Sequence, residues 1–234
     1  MGDYSGCETI VTGGTGSLGR ALVKALLDAG ATCRVPYMHA HEAESFPFKA
    51  DPRVNLVGPL DLDDEAAVAG LYAGAKALWA SIHLAGGFAM KPADQSGKAD
   101  FQSMTAMNLL TCQLCCAGAL KAMKRAAKGG RIVNVAARAA LEPRSGGGMA
   151  AYAASKAAVA AFTQALAAEV ASDGIWVNAV APSIMDTPAN RASMPKADYA
   201  LWPKVEEVAA TILFLASPGN RVTSGAVVPV YGES

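Results

Sequence analysis

The chain has 234 residues, 52% of them hydrophobic and 17% charged, which is length enough for one large core and leaves no linker to divide it. Twenty basic and twenty acidic residues cancel, so no overall field draws the chain to nucleic acid or to an anionic membrane, and a small-molecule partner is expected. The longest apolar stretches are broken by Gly, Lys or Asp short of the roughly 20 residues a membrane span needs, and Met1-Gly2-Asp3-Tyr4 has no basic, apolar leader pattern, so no membrane partner is expected and the chain reads as cytoplasmic.

The first predicted element is a strand near 8–12, the apolar run Thr9-Ile10-Val11-Thr12. It leads through Gly13 into the G-x-G-x-x-G spacing of Gly14, Gly16 and Gly19, which opens an amphipathic helix near 18–29. In that context Gly14 is expected to permit the tight turn, Gly16 to let the backbone approach a pyrophosphate and Gly19 to let the helix pack on the strand. Ser17 and Leu18 fall at the helix N-terminus, whose unpaired N–H groups and positive dipole end suit an anionic dinucleotide. A second strand near 32–37 carries no acid at its end to read a ribose 2′-hydroxyl. Tyr37 takes that position, and the next carboxylate is Glu42. With Arg34, His39 and His41 nearby, the choice between NADPH and NADH leans slightly to NADPH.

A strand near 53–58 precedes Asp61-Leu62, expected to face the adenine, and a helix near 63–73 follows. The strand near 77–84 ends in Ala85-Gly86-Gly87, where glycine again allows a close backbone approach, and then Phe88. A long helix near 101–127 carries Asn108, Cys112, Cys115 and Cys116. With Cys7 and Cys33 these make five cysteines, placed in predicted elements and read as buried, reduced thiols. Cys112-x-x-Cys115 has neither a second pair nor a clustered His beside it in the sequence, so no metal site is expected. A strand near 131–136 runs into Ala137 and a loop containing Ser145, and the helix near 150–172 places Tyr152 and Lys156 at i and i+4 on one face. There the ammonium is expected to stabilise a phenolate and to lower a pKa of about 10, making Tyr152 a usable acid. A strand near 175–181, a Pro-, Met- and Ser-rich loop over 182–203, a helix near 204–216 and a strand near 226–230 complete the chain.

This alternation predicts an α/β fold, a single Rossmann-type NAD(P)-binding domain over 1–234 on a doubly wound, seven-stranded parallel sheet. Near-continuous apolar runs such as Ile132-Val133-Asn134-Val135 suit strands covered by helices on both faces. Ligands of such sheets bind outside the carboxyl ends of the strands, which points to the loops 13–17, 85–100, 137–149 and 182–203, the last expected to act as a lid. Ala158, Ala161, Ala165 and Ala168 allow close helix packing between subunits.

Thr12 to Gly19, Asn108, Tyr152-Ala-Ala-Ser-Lys156 and Val177-Asn-Ala-Val-Ala-Pro182 together resemble the short-chain dehydrogenase/reductase family, over about residues 8–231. The resemblance implies an NAD(P)H-dependent oxidoreductase in which Tyr152 donates a proton, Lys156 also binds the nicotinamide ribose and Asn108 holds a relay water. It also implies a homodimer, or a homotetramer. Two residues depart from the family pattern. Ser17 stands in place of a glycine, and Ala137 stands where the family places a Ser that polarises a carbonyl, with Ser145 as the alternative.

Gly13 to Gly19, Ala85-Gly-Gly-Phe88, Ala137-Arg-Ala-Ala-Leu141, Gly148 to Lys156 and the segment from Asp186 to Trp202 are similar to the quinonoid dihydropteridine reductase branch. That likeness implies reduction of quinonoid dihydropterin to tetrahydropterin, with Phe88, Ala137 and Trp202 at the substrate and Pro182 and Thr187 at the cofactor. A quinonoid imine is already electrophilic, so it needs hydride and one proton more than carbonyl polarisation. Two other readings stand beside it: a reductase of another small carbonyl or imine compound, and a non-catalytic dinucleotide-binding protein.

Overall fold

The computed structural model describes residues 3–234. Seven strands, β1 (Glu8–Thr12), β2 (Thr32–Pro36), β3 (Val54–Val57), β4 (Leu78–His83), β5 (Gly130–Val135), β6 (Ile175–Pro182) and β7 (Val227–Val230), form one sheet in the order β3-β2-β1-β4-β5-β6-β7. Every pairing is parallel, as the alternation of strand and helix requires. The helices are α1 (Ser17–Asp28), α2 (Ala40–Glu44), α3 (Glu65–Ala73), α4 (Lys98–Thr105), α5 (Thr111–Ala126), α6 (Arg138–Leu141), α7 (Ala150–Glu169), α8 (Pro188–Ser193) and α9 (Val205–Ala216).

Successive strand residues point to opposite faces, and both faces are apolar because both are covered. Val11, Val35 and Val133 pack with Leu22 and Leu26 of α1 and Ile212 of α9. Their neighbours Ile10 and Ile132 pack instead with Leu71 of α3, Cys115 and Ala119 of α5 and Val159 of α7. The short helices α2, α6 and α8 were not expected, since four to six residues are too few to show a 3.6-residue period.

The helical run Lys98–Ala126 is by length and composition apolar enough to cross a membrane, although the sequence was expected to hold no such stretch. Here it packs on the sheet, with Met104, Cys112, Cys115, Cys116, Ala119 and Met123 buried. A π turn over Ala106–Leu110 separates α4 from α5. All five cysteines are free.

Folding brings a histidine to two of these thiols, a grouping invisible in the sequence: the ligating atoms of His83, Cys112 and Cys116 lie within 4.8 Å of one another. His83 is already fully bonded. Its Nε2 meets Ser81 Oγ at 2.8 Å and the Tyr72 hydroxyl at 3.2 Å, and its Nδ1 donates to Asn134 Oδ1 at 2.8 Å. The Asn134 amide in turn donates to Thr163 Oγ1 at 2.9 Å. This is a satisfied polar network in the interior, and it locks β4, β5, α3 and α7 together.

Candidate active site

The strand order reverses between β1 and β4, so the chain leaves their carboxyl ends in opposite directions and opens a crevice. Gly13 makes the turn out of β1 at φ +66°, and a Cβ there would lie 2.7 Å from the Ala85 nitrogen. Gly13, not Gly14, is therefore the tight-turn residue, a correction of one position within a glycine pair. Gly14 serves packing, since its Cβ would meet Val35 Cγ1 at 2.7 Å. Gly19 lies so close to the backbone of Gly13 and Gly14 that no side chain fits, and it seats α1 on the turn as expected. Gly16 precedes α1 in an extended conformation, and no side chain caps the first turn at Ser17 and Leu18. Uncapped N–H groups at the start of α1, beside a turn whose glycines leave no room for side chains, suit the pyrophosphate of a dinucleotide.

A cleft of about 470 Å³ extends from this cradle. Of the residues expected at the cofactor, Gly13, Tyr37, Asp61, Leu62, Ala85 and Gly86 line it, and it is also lined by Glu42, noted only as the next acid after Tyr37, and by Thr15 and Met107, which the sequence did not single out. The groups expected to shape cofactor choice make contacts of their own. The Tyr37 hydroxyl donates to the Gly58 carbonyl at 2.8 Å, and its ring lines the cleft. Arg34 donates to the Gly74 carbonyl at 2.6 Å. His39 stacks on His41 with ring centroids 5.6 Å apart.

Glu42 enters the cleft from the first turn of α2. Its carboxylate accepts from Met38 N at 2.9 Å, His39 N at 2.8 Å and Thr15 Oγ1 at 3.3 Å. Burial works to raise its pKa, but these three donors outweigh that and hold the carboxyl below its ordinary value.

At the chemical end, α7 presents Tyr152 and, one turn on, the buried Lys156. The Lys156 ammonium donates to the Val135 carbonyl at 2.9 Å, and burial lowers its pKa to about 8. Tyr152 meets Phe88 edge to face, with centroids 4.9 Å apart. Burial pushes the Tyr152 phenol up to about 12. The expected lowering by Lys156 is not seen, because the ammonium is turned to Val135 and desolvation dominates at the phenol.

Asn108 projects from the π turn and is buried. Its Oδ1 accepts from Gly87 N at 3.0 Å, while its Nδ2 donates to Gly87 O and to Ser155 Oγ, both at 3.1 Å. Ser155 donates to the Tyr152 carbonyl at 2.8 Å. The loop after β4, the π turn and α7 are thereby joined through one side chain. Ser155 lies between Tyr152 and Lys156 in the sequence, where no pattern marks it as functional. Gly86 completes the contact: a Cβ there would lie 2.6 Å from Asn108 Oδ1 and 3.4 Å from Lys156 Nζ.

On the substrate side, Ala137 is buried in extended backbone just before α6. Ser145 is exposed, and its hydroxyl donates to the Glu142 carbonyl at 2.8 Å. Phe88 is 61% exposed beside Tyr152. Trp202, expected to meet substrate, is instead only 7% exposed and packs on Tyr199 at 5.0 Å, because a large ring in a loop lowers its free energy by anchoring that loop to the core. The segment after β6 is well tied: Thr187 Oγ1 caps α8 through Asn190 N at 3.2 Å, and Asp186 accepts two bonds from Arg191 at 2.6 and 2.7 Å. Pro182 ends β6 opposite Val230, and neither it nor Thr187 lines the cleft.

A glycine cradle at the crevice, with a Tyr and a Lys one turn apart across from it, narrows the comparison, and residues 8–198 match the short chain dehydrogenase family. The chain belongs to that family. This short-chain dehydrogenase is 31% identical to the 2,3-dihydro-2,3-dihydroxybenzoate dehydrogenase of Escherichia coli (strain K12), over 92% of its own length and 91% of the relative's. A solved structure described as a short chain dehydrogenase/reductase family protein is 29% identical, with a TM-score of 0.89 and coverage of 98% and 97%. ElxO with NADP bound has a TM-score of 0.86 at 23% identity, covering 99% and 98%, which is a likeness of fold. Membership makes this short-chain dehydrogenase an NAD(P)-dependent oxidoreductase, and the cradle at Gly13 to Gly19 is the part of the chain that fits the dinucleotide.

Proposed function

We propose that this short-chain dehydrogenase reduces an electrophilic quinonoid or imine heterocycle of the dihydropterin type, with Tyr152 as proton donor. The observation that carries this reading is Ala137: a buried methyl group stands where a hydroxyl would polarise a carbonyl, and Ser145 is engaged by Glu142. A substrate that is already electrophilic does not need that hydroxyl. Phe88 supports the same reading, since its exposed ring gives a flat heterocycle an aromatic surface beside the proton donor.

A dinucleotide held by the turn at Gly13 to Gly19 and the cleft beside it would supply the hydride. Tyr152, with a pKa of about 12, holds its proton through the neutral range and yields it only to a site where negative charge develops. Lys156 is charged below pH 8 and keeps a cation one helical turn from the phenol, where the nicotinamide ribose is also within its assigned role. Asn108 holds the Gly87 backbone and Ser155 in register with Tyr152, and in this reading its carbonyl oxygen also orders the water that returns a proton to the phenol. In this reading the segment 182–203, held by Asp186 and Thr187, covers the substrate. The exposed alanines Ala161, Ala165 and Ala168 of α7 support self-association as a homodimer.

The test is the steady-state rate of quinonoid dihydropterin reduction with NADH and with NADPH, using Tyr152→Phe as the control. Rapid turnover that depends on Tyr152 supports the assignment; dinucleotide binding without turnover overturns the substrate and leaves the family standing. A second reading, oxidation or reduction at a secondary alcohol or ketone, is favoured by the name of the Escherichia coli relative. Turnover on a panel of such alcohols and ketones, with none on the pterin, would select it.

A further inference from the structure

The wall of the cleft between the glycine turn and the end of β2 is made by a residue that lies six positions beyond that strand. Glu42 spans the two: one carboxylate oxygen accepts from Thr15 in the turn, and the other accepts from the backbone of Met38 and His39 just after β2. In a crevice of this kind the adenosine ribose lies at the end of the second strand, and an acid there accepts from its 2′-hydroxyl. Asp61 and Asp63 line the same cleft, and neither a lysine nor an arginine does. The nearest guanidinium groups are held elsewhere, Arg20 by the Thr15 carbonyl at 2.7 Å and Ser45 Oγ at 3.0 Å, and Arg34 by the Gly74 carbonyl.

We propose that Glu42 is the residue that sets the dinucleotide preference, toward NAD(H), by lending the ribose a carboxylate and by occupying with its own charge the Met38 and His39 N–H groups, which are then not free to donate to a 2′-phosphate. The inference rests on the assignment of the cleft to NAD(P) and adds to it which dinucleotide the cleft selects. A carboxylate offers about four acceptor positions. Three are in use, and the remaining one, on the oxygen that faces Thr15, is available to a ribose hydroxyl. A 2′-phosphate brings a second anion to the same place, with Asp61 and Asp63 nearby, and meets repulsion with no cation to relieve it.

The experiment is calorimetric titration of the purified full chain with NAD⁺ and with NADP⁺, for the wild type and for Glu42→Gln. Glutamine keeps the acceptor oxygen for Met38 and His39, and so the cap of α2, while removing the charge. The expected wild-type result is NAD⁺ bound about tenfold or more tightly than NADP⁺, and the expected variant result is a ratio narrowed by about tenfold, chiefly through tighter NADP⁺. Equal wild-type affinities, or a ratio that Glu42→Gln leaves unchanged, overturn the proposal. Failure of the wild type to bind either dinucleotide overturns the assignment of the cleft itself, a distinguishable result. A measurement on the wild type alone guards against a misfolded variant: raising salt from about 0.05 to about 0.5 M should narrow the ratio by screening the repulsion, and a salt-independent ratio counts against a role for charge.

Discussion

The Lys156 ammonium hangs from the Val135 carbonyl at the carboxyl end of β5, at 2.9 Å, with the phenol of Tyr152 one helical turn away and burdened by its own burial. The two groups therefore titrate in separate ranges. Lys156, at about 8, is charged below that pH and neutral above it, whereas Tyr152, at about 12, remains protonated throughout. Turnover that needs the cation should fall as pH rises through about 8, and kcat followed across that range in Lys156→Met should show a low, flat profile. The same shift acts on stability. Because the folded pKa is lowered from 10.5 to about 8, the unfolded chain binds the extra proton between those values, so unfolding free energy should rise across that window in the wild type and not in Lys156→Met, as read by denaturant titration.

Removing the phenolic hydroxyl isolates the proton donor. Tyr152→Phe keeps the ring and its edge contact with Phe88. Turnover should drop by about 10²–10⁴ while the dinucleotide dissociation constant stays within about twofold of wild type. Retained turnover would take Tyr152 out of the chemistry.

Installing the missing hydroxyl is the converse trial. Ala137→Ser places an Oγ in a nearly filled pocket, since Ala137 is 6% exposed. Ketone reduction should rise by about tenfold or more, and dihydropterin reduction should change little, when both are compared as kcat/KM. A variant that gains nothing on ketones would show that Ala137 does not face the reacting group.

The interior network offers a prediction about stability alone. Asn134→Ala strips the acceptor from His83 Nδ1 and the donor from Thr163 Oγ1, both buried. The loss should be about 1–3 kcal/mol beyond that of a surface substitution, measured by denaturant unfolding. A change below about 0.5 kcal/mol would mean that water or rotation of Ser81 re-satisfies the ring.

Most of the sheet was legible because strands buried on both faces read as apolar runs, and Ile132-Val133-Asn134-Val135 falls within β5 (Gly130–Val135). The pair Tyr152 and Lys156 was legible because four residues of helix put them on one face. Glu42 was noted only as the next acid after Tyr37; its arrival in the cleft depends on α2, a single turn and a half with no periodic signal, folding back to cap itself. The tight turn was misplaced by one because adjacent glycines differ only in φ, which a sequence does not carry. Trp202 looked like a substrate contact because loop aromatics can serve either binding or anchoring, and only burial tells them apart.

The π turn at Ala106–Leu110 has an effect on everything downstream of it. A wider turn inserts one residue without advancing the helical face, so α5 is rotated out of phase with α4 by about one residue's worth of angle, about 100°. A helical wheel drawn straight through from Lys98 to Ala126 would scatter the inward-facing positions, and the chain has in effect two short amphipathic patterns spliced with a phase slip. Deleting one residue inside the splice should yield a more regular helix and a worse protein, since the register that seats Cys112, Cys115 and Met123 against the sheet would be kept only by swinging Asn108 away from Gly87.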